Sequence, residues 1–197
     1  MPKKSEPDRD PKKPEASRMA QLGERLFATR TLLVFGEITM DVAELTSAQL
    51  LALAADGDRP IRLVIHSPGG HVESADTIFD LVRAIPAPVS MIGTGWVASA
   101  GALIYSSVPR ERRFALPNTR FLLHQPLGGM SGPAADVEIE ARQIGHMRKR
   151  LIKTFAEATG QTEERIERDS DRNYWLTAPE AVEYGLVGRV ISGLGEV

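Results

Sequence analysis

Short apolar runs alternate with longer helical stretches from Thr31 onward, and this alternation limits the possible folds more than any other feature of the chain. Each run is bounded by Gly, Pro, Asp or Thr, which is typical of buried strands. Strands that alternate with helices predict βαβ units and a mostly parallel sheet. The predicted strands are residues 31–35, 61–65, 89–92 and 120–123, and the helices between them are residues 43–55, 72–85 and 98–106.

A long helix is predicted over residues 134–155, where apolar side chains recur every three or four positions from Val137 to Phe155. A second apolar stripe passes through Ile139 and Ile152. We therefore expect partners on more than one side of this helix, as in a contact between subunits.

A short helix is predicted to begin at Thr177 and to end near Gly185. Thr177 can cap its first turn, and Glu180 can complete a capping box. Glycine is the usual residue just beyond the end of a helix.

Residues 1–18 differ in composition from the rest of the chain. They hold four prolines, many charges and almost nothing apolar, so burial cannot offset the entropy lost on ordering them. We expect a disordered tail there, and an arm that docks on a partner is the alternative. Residues 19–197 are predicted to form a single domain, which is long enough to bury a core.

Composition excludes several classes of protein. A net charge of −2 gives no sign of nucleic-acid binding. No apolar run approaches the ~20 residues of a membrane span, and no signal-peptide pattern is visible, so we expect a cytoplasmic protein. The chain has no cysteine, hence no disulfide and no thiolate nucleophile. None of His66, His71 and His146 has acidic neighbours at metal-ligand spacing, so neither a metal nor another cofactor is predicted.

Three places could carry chemistry. The SPGG sequence at 67–70 follows a predicted strand, and its paired glycines allow a backbone N–H to face a ligand, although a simple tight turn explains them equally well. Ser99 has small neighbours at a predicted strand-to-helix junction. It could be a nucleophile, or it could only cap the helix. It departs from the Gly-x-Ser-x-Gly pattern because Val97 occupies the first glycine position. His124 lies at the end of a predicted strand. It could act as a base or have a purely structural role.

These three features gain weight because they occur together on successive α/β units. A hydroxyl nucleophile needs a base to accept its proton and N–H donors to hold the oxyanion. A serine, a histidine and a glycine turn supply those three groups.

The same segments resemble the proteolytic subunit of the Clp protease (ClpP) family, in that family's order. They are SPGG, ASAG at 98–101, HQPLGG at 124–129 and the block ERDSDR…LTAPEAVEYGLV, within a resemblance that extends from about Arg25 to Ile191. The resemblance implies an α/β fold, a crotonase-like spiral of βαβ units with a protruding helix–strand handle. It also implies a serine-type endopeptidase that cleaves polypeptides inside a ring chamber, without a cofactor.

The resemblance assigns a role to each site residue. Ser99 is the expected nucleophile, His124 the base, and the N–H groups of Gly70 and Ala100 the oxyanion hole. Two further glycines are expected to begin a strand that pairs with the peptide, namely Gly128 and Gly129.

Asn173 occupies the place where the family usually has the third triad residue, an aspartate. An amide oxygen can accept the histidine N–H, but it cannot supply a negative charge to the imidazolium. We therefore expect activity that is weak or that depends on assembly.

The implied assembly is two stacked heptameric rings, either of one chain or mixed with a paralogue. Asp171 and Arg172 match the charged pair that links the rings in the family. An AAA+ unfoldase is a possible partner, but its docking pocket is altered. The aligned positions there are Arg62, Val64 and Ala84, with Phe114 kept.

Two other functions stay open from sequence alone. The chain could be a weakly active or non-catalytic structural subunit of a mixed ring, which Asn173 favours and the Ser99–His124 pair opposes. It could also be an enoyl-CoA hydratase or isomerase on the same fold. Those enzymes use acidic or tyrosine acid–base groups, and a serine–histidine pair does not match them.

Overall fold

The computed structural model describes residues 15–126, 128–129 and 131–197. The elements in chain order are α1 (Glu15–Ala28), β1 (Thr31–Phe35), α2 (Met40–Ala55), β2 (Ile61–Ser67), α3 (Val72–Ala84), β3 (Val89–Ala98), α4 (Ala100–Tyr105), β4 (Arg113–Ala115), β5 (Arg120–Leu123), α5 (Ala134–Thr159), α6 (Glu163–Asp169), β6 (Tyr174–Thr177), α7 (Ala178–Tyr184) and β7 (Arg189–Val190). The α/β class and the bounds of β1 and β5 are as predicted.

The sheet is mostly parallel, as the alternation of strands and helices predicts. Strands β1, β2, β3, β4 and β7 follow one another in parallel, and β6 is the one described strand that runs antiparallel to its neighbour, β5. Strand β3 has two sets of partners. Its residues Met91–Gly93 pair with β4, whereas Trp96–Ala98 pair with β5. The chain therefore changes neighbours within one strand, and the end of β3 lies beside the end of β5.

The core lies between the sheet and the helices that cross it. Alternate residues of β2, namely Ile61, Leu63 and Ile65, are fully buried, as expected for a strand with one face on the core. Helix α4 is buried on all sides, and its small residues Ala100 to Ala102 allow this close packing. Burial of each large aliphatic side chain stabilises the fold by roughly 1.5–3 kcal/mol.

Among the described residues, the buried side chains of helix α5 lie in its C-terminal part. Its C-terminal part contributes Leu151, Ile152 and Phe155 to the core, whereas Val137 and Ile139 near its start are 37% and 47% exposed. The first turns of this helix thus project from the body of the domain and form the helical part of the predicted handle. Exposed apolar residues on such a projection agree with the expected subunit contact, which stays a prediction.

The structure differs from the sequence-based expectation at the start of the chain. Helix α1 begins at Glu15, inside the segment predicted as a tail. Met19, Leu22 and Leu26 recur at helical spacing, and the good helix formers before them extend the helix toward the N-terminus. The proline-rich composition of residues 1–18 hid this start. The rest of the predicted tail, residues 1–14, lies outside the described residues.

Strand β3 also differs from its prediction, because it continues to Ala98 instead of ending at Ile92. Gly93 and Gly95 suggested a break in the strand, but pairing with β5 continues it. The following helix consequently starts at Ala100 and not at Ala98. Strands β4, β6 and β7 and helix α6 were not predicted, because short segments carry little periodic signal.

The Glu180 half of the predicted capping box of α7 is confirmed. The backbone N–H of Thr177 donates to Glu180 Oε2 over 2.8 Å, and the Thr177 hydroxyl donates to the same carboxylate oxygen over 2.7 Å. Gly185 ends the helix in the left-handed conformation.

Candidate active site

Ser99 lies at the sharp turn between β3 and α4. Its backbone has φ 54° and ψ −120°, a conformation that costs a non-glycine residue roughly 1–3 kcal/mol. The turn is held because the Ser99 N–H donates to Leu122 O over 2.9 Å, while Ser99 O accepts from the N–H of Leu103. The Ser99 side chain makes no capping hydrogen bond to α4, so this serine is not a plain helix cap.

His124 directly follows β5 and faces Ser99. The parallel pairing of Ala98 with Leu122 brings the ends of β3 and β5 to the same edge of the sheet. His124 Nε2 consequently lies 2.7 Å from Ser99 Oγ, a normal distance for a hydrogen bond that a hydroxyl donates to an imidazole. The predicted nucleophile and base are therefore in direct contact.

Asn173 precedes β6 and lies on the other side of the imidazole. Antiparallel pairing of Leu123 with Tyr174 sets Asn173 beside His124, with Asn173 Oδ1 3.2 Å from His124 Nδ1. The amide oxygen can accept the Nδ1 proton, which leaves Nε2 free to accept the Ser99 proton. Gln125 anchors the loop before Asn173, because its side-chain amide donates to Asp171 O over 2.8 Å.

The SPGG turn packs directly against the serine. The buried Ser67 hydroxyl accepts the Gly69 N–H over 3.0 Å, and Gly69 and Gly70 have φ of +102° and +148°, which favour glycine. A methyl group added at Gly69 would lie 2.6 Å from Ser99 Cβ. Gly70 approaches the backbone of Ile38 just as closely, through an isolated β-bridge. This turn is therefore part of the site.

Two backbone N–H groups at the site lack acceptors. Among the described residues, the N–H of Gly70 meets no hydrogen-bond acceptor. Ala100 is the first residue of α4, and the first N–H groups of a helix have no partner within it. Both donors belong to the segments that meet at Ser99, so they can serve a developing oxyanion there.

A narrow apolar hollow opens beside Ser99 and His124, and sequence reasoning missed it. Its free volume is about 10 Å³, which is roughly the room that one water molecule needs. The apolar stripe of α5 is the available signal, but by itself it predicts only that the helix has buried faces. The residues that line the hollow besides Ser99 and His124 are Val72, Ala100, Leu103, Pro126, Leu151 and Phe155.

Gly128 and Gly129, the predicted start of a peptide-binding strand, are exposed and belong to no strand in the described part of the chain. Gly128 lies against Ile144 of α5, since an added methyl there would be 3.0 Å from its Cδ1 atom. An extended segment gains strand hydrogen bonds only when another segment pairs with it. The neighbouring residues Leu127 and Met130 lie outside the described residues.

The positions that the resemblance gives to partners are placed as follows. Asp171 and Arg172 are exposed, and Asp171 lies 3.9 Å from Arg148 as well as from Arg172. Phe114 is only 9% exposed and packs with Ile92 and Ile191, so in this chain it belongs to a small core cluster. The other three aligned positions are half-buried or exposed, namely Arg62, Val64 and Ala84.

In the described part of the chain, no group of histidine and acidic side chains is arranged to hold a metal ion. Among the same residues, no helix combines the length and the apolar character that a membrane crossing requires.

Comparison with known proteins assigns the family. The family model for Clp protease matches residues 14–193. The chain is 55% identical over 183 residues to the ATP-dependent Clp protease proteolytic subunit 2 of Gluconobacter oxydans, covering 92% of this chain and 82% of the relative. It is 50% identical over 194 residues to the proteolytic subunit 3 of Rhizobium meliloti, covering 98% of this chain and all of the relative.

Solved structures agree with this assignment. ClpP1 from Listeria monocytogenes superposes with a TM-score of 0.80 at 46% identity, over 89% of this chain and 98% of that one. A mutant of the same protein, in which an asparagine is replaced by aspartate, gives a TM-score of 0.83 at 46% identity and covers 88% of this chain. The predicted fold class is thereby confirmed. The chain belongs to the Clp protease family, as a serine endopeptidase subunit.

Proposed function

We propose that Ser99 and His124 cleave peptide bonds through an acyl-enzyme. His124 Nε2 accepts the Ser99 proton while Oγ forms a bond to the scissile carbonyl carbon. The N–H groups of Gly70 and Ala100 stabilise the oxyanion, and His124 then passes its proton to the leaving amine. Water repeats these steps to release the acid. The 2.7 Å separation between Ser99 Oγ and His124 Nε2 is the observation that carries this proposal.

Asn173 orients the base in this scheme. Its amide oxygen accepts the Nδ1 proton, so the imidazole keeps the tautomer that exposes a free Nε2 lone pair. A neutral amide does not stabilise the positive charge that His124 acquires in the transition state. We therefore propose a peptidase that works below the rate its other groups would allow.

The proposed substrate is an extended polypeptide. The free N–H of Gly70 and the exposed segment at Gly128 and Gly129 can form main-chain hydrogen bonds with it, as in β-strand addition. The apolar hollow takes the side chain that precedes the cleaved bond. The described residues that line it carry no acidic or basic side chain other than His124, so the preferred side chain is apolar.

We further propose that residues 19–197 act as one peptidase domain within stacked heptameric rings. The exposed apolar residues of the projecting end of α5, Val137 and Ile139, support a contact between subunits. The rings contain either this chain alone or a mixture with a paralogue, and Asp171 and Arg172 link the two rings. Docking of an AAA+ unfoldase and a cytoplasmic location stay predictions from sequence.

A covalent probe tests the catalytic proposal. The full chain is treated with a fluorophosphonate, and its intact mass and the labelled peptide are measured. We expect one adduct, at Ser99, and none in Ser99→Ala. The matched control is Ser90→Ala, which removes a hydroxyl from the same strand outside the site and should leave labelling unchanged.

The same measurement distinguishes the second candidate, a structural subunit that completes a mixed ring. Asn173 favours it, because the missing carboxylate weakens the base. An assembled parent chain that neither reacts with the probe nor cleaves peptides would contradict the peptidase proposal and support this one.

A further inference from the structure

Three helices supply five of the eight described residues that line the apolar hollow. Helix α4 contributes Ala100 and Leu103, α3 contributes Val72, and α5 contributes Leu151 and Phe155. Helices α3 and α5 both pack against α4, and each supplies lining residues to the hollow. The distance between α3 and α5 is therefore one determinant of the width of the hollow.

An ion pair joins these two walls. Asp76 of α3 and Arg150 of α5 form a two-pronged contact, in which Arg150 Nη2 lies 2.6 Å from Asp76 Oδ2 and Nη1 donates to Oδ1. Asp76 lies one helical turn after Val72, and Arg150 directly precedes Leu151. The pair thus links the helices next to the residues that line the hollow.

This pair has the geometry of a strong interaction. A guanidinium that meets both oxygens of a carboxylate fixes direction as well as distance, unlike most exposed ion pairs. The Asp76 side chain is only 18% exposed, although Arg150 is 48% exposed. Hydrogen bonding to Asp76 is the main reason that the pKa of Arg150 is raised, and Glu73 and Asp80 on the same face of α3 add to the effect.

The hollow is narrow in this structure, in which the pair is formed. Its free volume of about 10 Å³ leaves no room for a leucine or phenylalanine side chain. Such a side chain enters more readily if α5 moves away from α3, because Leu151 and Phe155 then withdraw from Val72 on the other side of the hollow. Because the pair resists that movement, it favours small side chains at this position.

We propose that the Asp76–Arg150 ion pair holds α5 against α3 and thereby determines which size of substrate side chain enters the hollow beside Ser99. Both residues are positioning residues that act through the walls of the hollow. The inference rests on the proposed peptidase function, and it names a specificity determinant for that reaction.

The test uses the full-length assembled protein and two peptides that differ only in alanine or leucine before the cleaved bond. Asp76→Asn keeps the shape of the side chain and removes its charge. We expect the ratio of kcat/KM for leucine over alanine to rise about three- to tenfold, mainly through a lower KM for the leucine peptide. The rate of Ser99 labelling by a small phosphonate should not change. The charge-swapped double variant, Asp76→Arg with Arg150→Asp, should restore the parental preference in part.

Glu157→Gln is the matched control, because it removes a carboxylate from α5 that pairs with Lys153 on the same helix and not with α3. An unchanged leucine-to-alanine ratio in assembled Asp76→Asn would overturn the proposal. An equal rise of this ratio in Glu157→Gln would overturn it too, because the loss of a carboxylate that makes no contact with α3 would then have the same effect on specificity.

Hydrogen exchange separates failure of this inference from failure of the peptidase function. If the parent chain cleaves no peptide, the function proposed above is wrong. The role of the ion pair is then tested by the hydrogen-exchange rates of the backbone amides of residues 147–155. Faster exchange there in Asp76→Asn than in the parent and in Glu157→Gln supports its role in holding α5. Equal exchange in all three proteins overturns it.

Discussion

Asn173 Oδ1 lies 3.2 Å from His124 Nδ1, on the side of the imidazole opposite Ser99. An amide therefore occupies the place from which a carboxylate would stabilise a protonated histidine. This contact orients the base without adding a charge, so it bears directly on the rate of the proposed reaction.

The first prediction concerns this contact. Asn173→Asp should raise kcat for peptide hydrolysis by about tenfold or more, because the carboxylate stabilises the imidazolium that forms in the transition state. Steady-state rates with a short fluorogenic peptide give the measurement. Asn118→Asp, at an exposed turn outside the site, is the control and should have the parental rate. If the parent chain already cleaves the peptide as fast as Asn173→Asp does, the amide of Asn173 supports His124 as well as a carboxylate would.

The second prediction concerns the close approach of Gly69 to Ser99. Gly69→Ala should reduce fluorophosphonate labelling by at least roughly tenfold, because the new methyl would lie 2.6 Å from Ser99 Cβ and φ at this position is +102°. Gly195→Ala adds a methyl where nothing lies within 4 Å and serves as the control. Labelling of Gly69→Ala at the parental rate, in a protein with parental Tm, would refute this packing.

The third prediction concerns assembly. Ile139 is 47% exposed on the projecting part of α5. Ile139→Glu should shift the oligomer toward the 21.5 kDa monomer, because burying a carboxylate in a subunit contact is costly, and the fold of the monomer should persist. Mass photometry measures the shift, and circular dichroism reports the fold. Glu140→Gln, at the next position of the same helix, should keep the parental oligomer. Unaltered assembly of Ile139→Glu would exclude this part of α5 from the interface.

The fourth prediction concerns the pH dependence of stability. Hydrogen bonds from the Thr177 side chain and backbone hold the pKa of Glu180 below its ordinary value of 4.5. A depressed pKa in the folded state means that the stabilisation is present above 4.5 and is lost as the pH falls through the folded value. The Tm of the parent should therefore exceed that of Glu180→Gln at neutral pH, and the difference should shrink below pH 4.5.

The control for this measurement is Glu183→Gln, whose position on α7 lies outside the capping box. It should show no comparable convergence of Tm with the parent. A difference between parent and Glu180→Gln that is constant from pH 7 to pH 3 would contradict the capping role.

Local sequence was sufficient to single out the candidate residues of the site, although it placed the end of β3 at Ile92 instead of Ala98. Ser99, His124 and the SPGG turn were found because each lies where a short apolar run gives way to small residues. Backbone conformation at such junctions depends on neighbours in the chain. The capping box at Thr177 and Glu180 was predictable for the same reason.

Contacts between distant parts of the chain were decided by the tertiary structure. Asn173 could be placed beside His124 only through a family resemblance, because the pairing of β5 with the unpredicted strand β6 creates that contact. The apolar hollow likewise depends on how α3, α4 and α5 pack, and so does the pair Asp76–Arg150. Hydrophobic periodicity shows that a helix has a buried face, but it does not show which face of another element will meet it. The sequence by itself thus predicted the candidate nucleophile, the candidate base and the glycine turn, whereas strand register decided where Asn173 lies relative to His124 and packing decided which helices line the hollow.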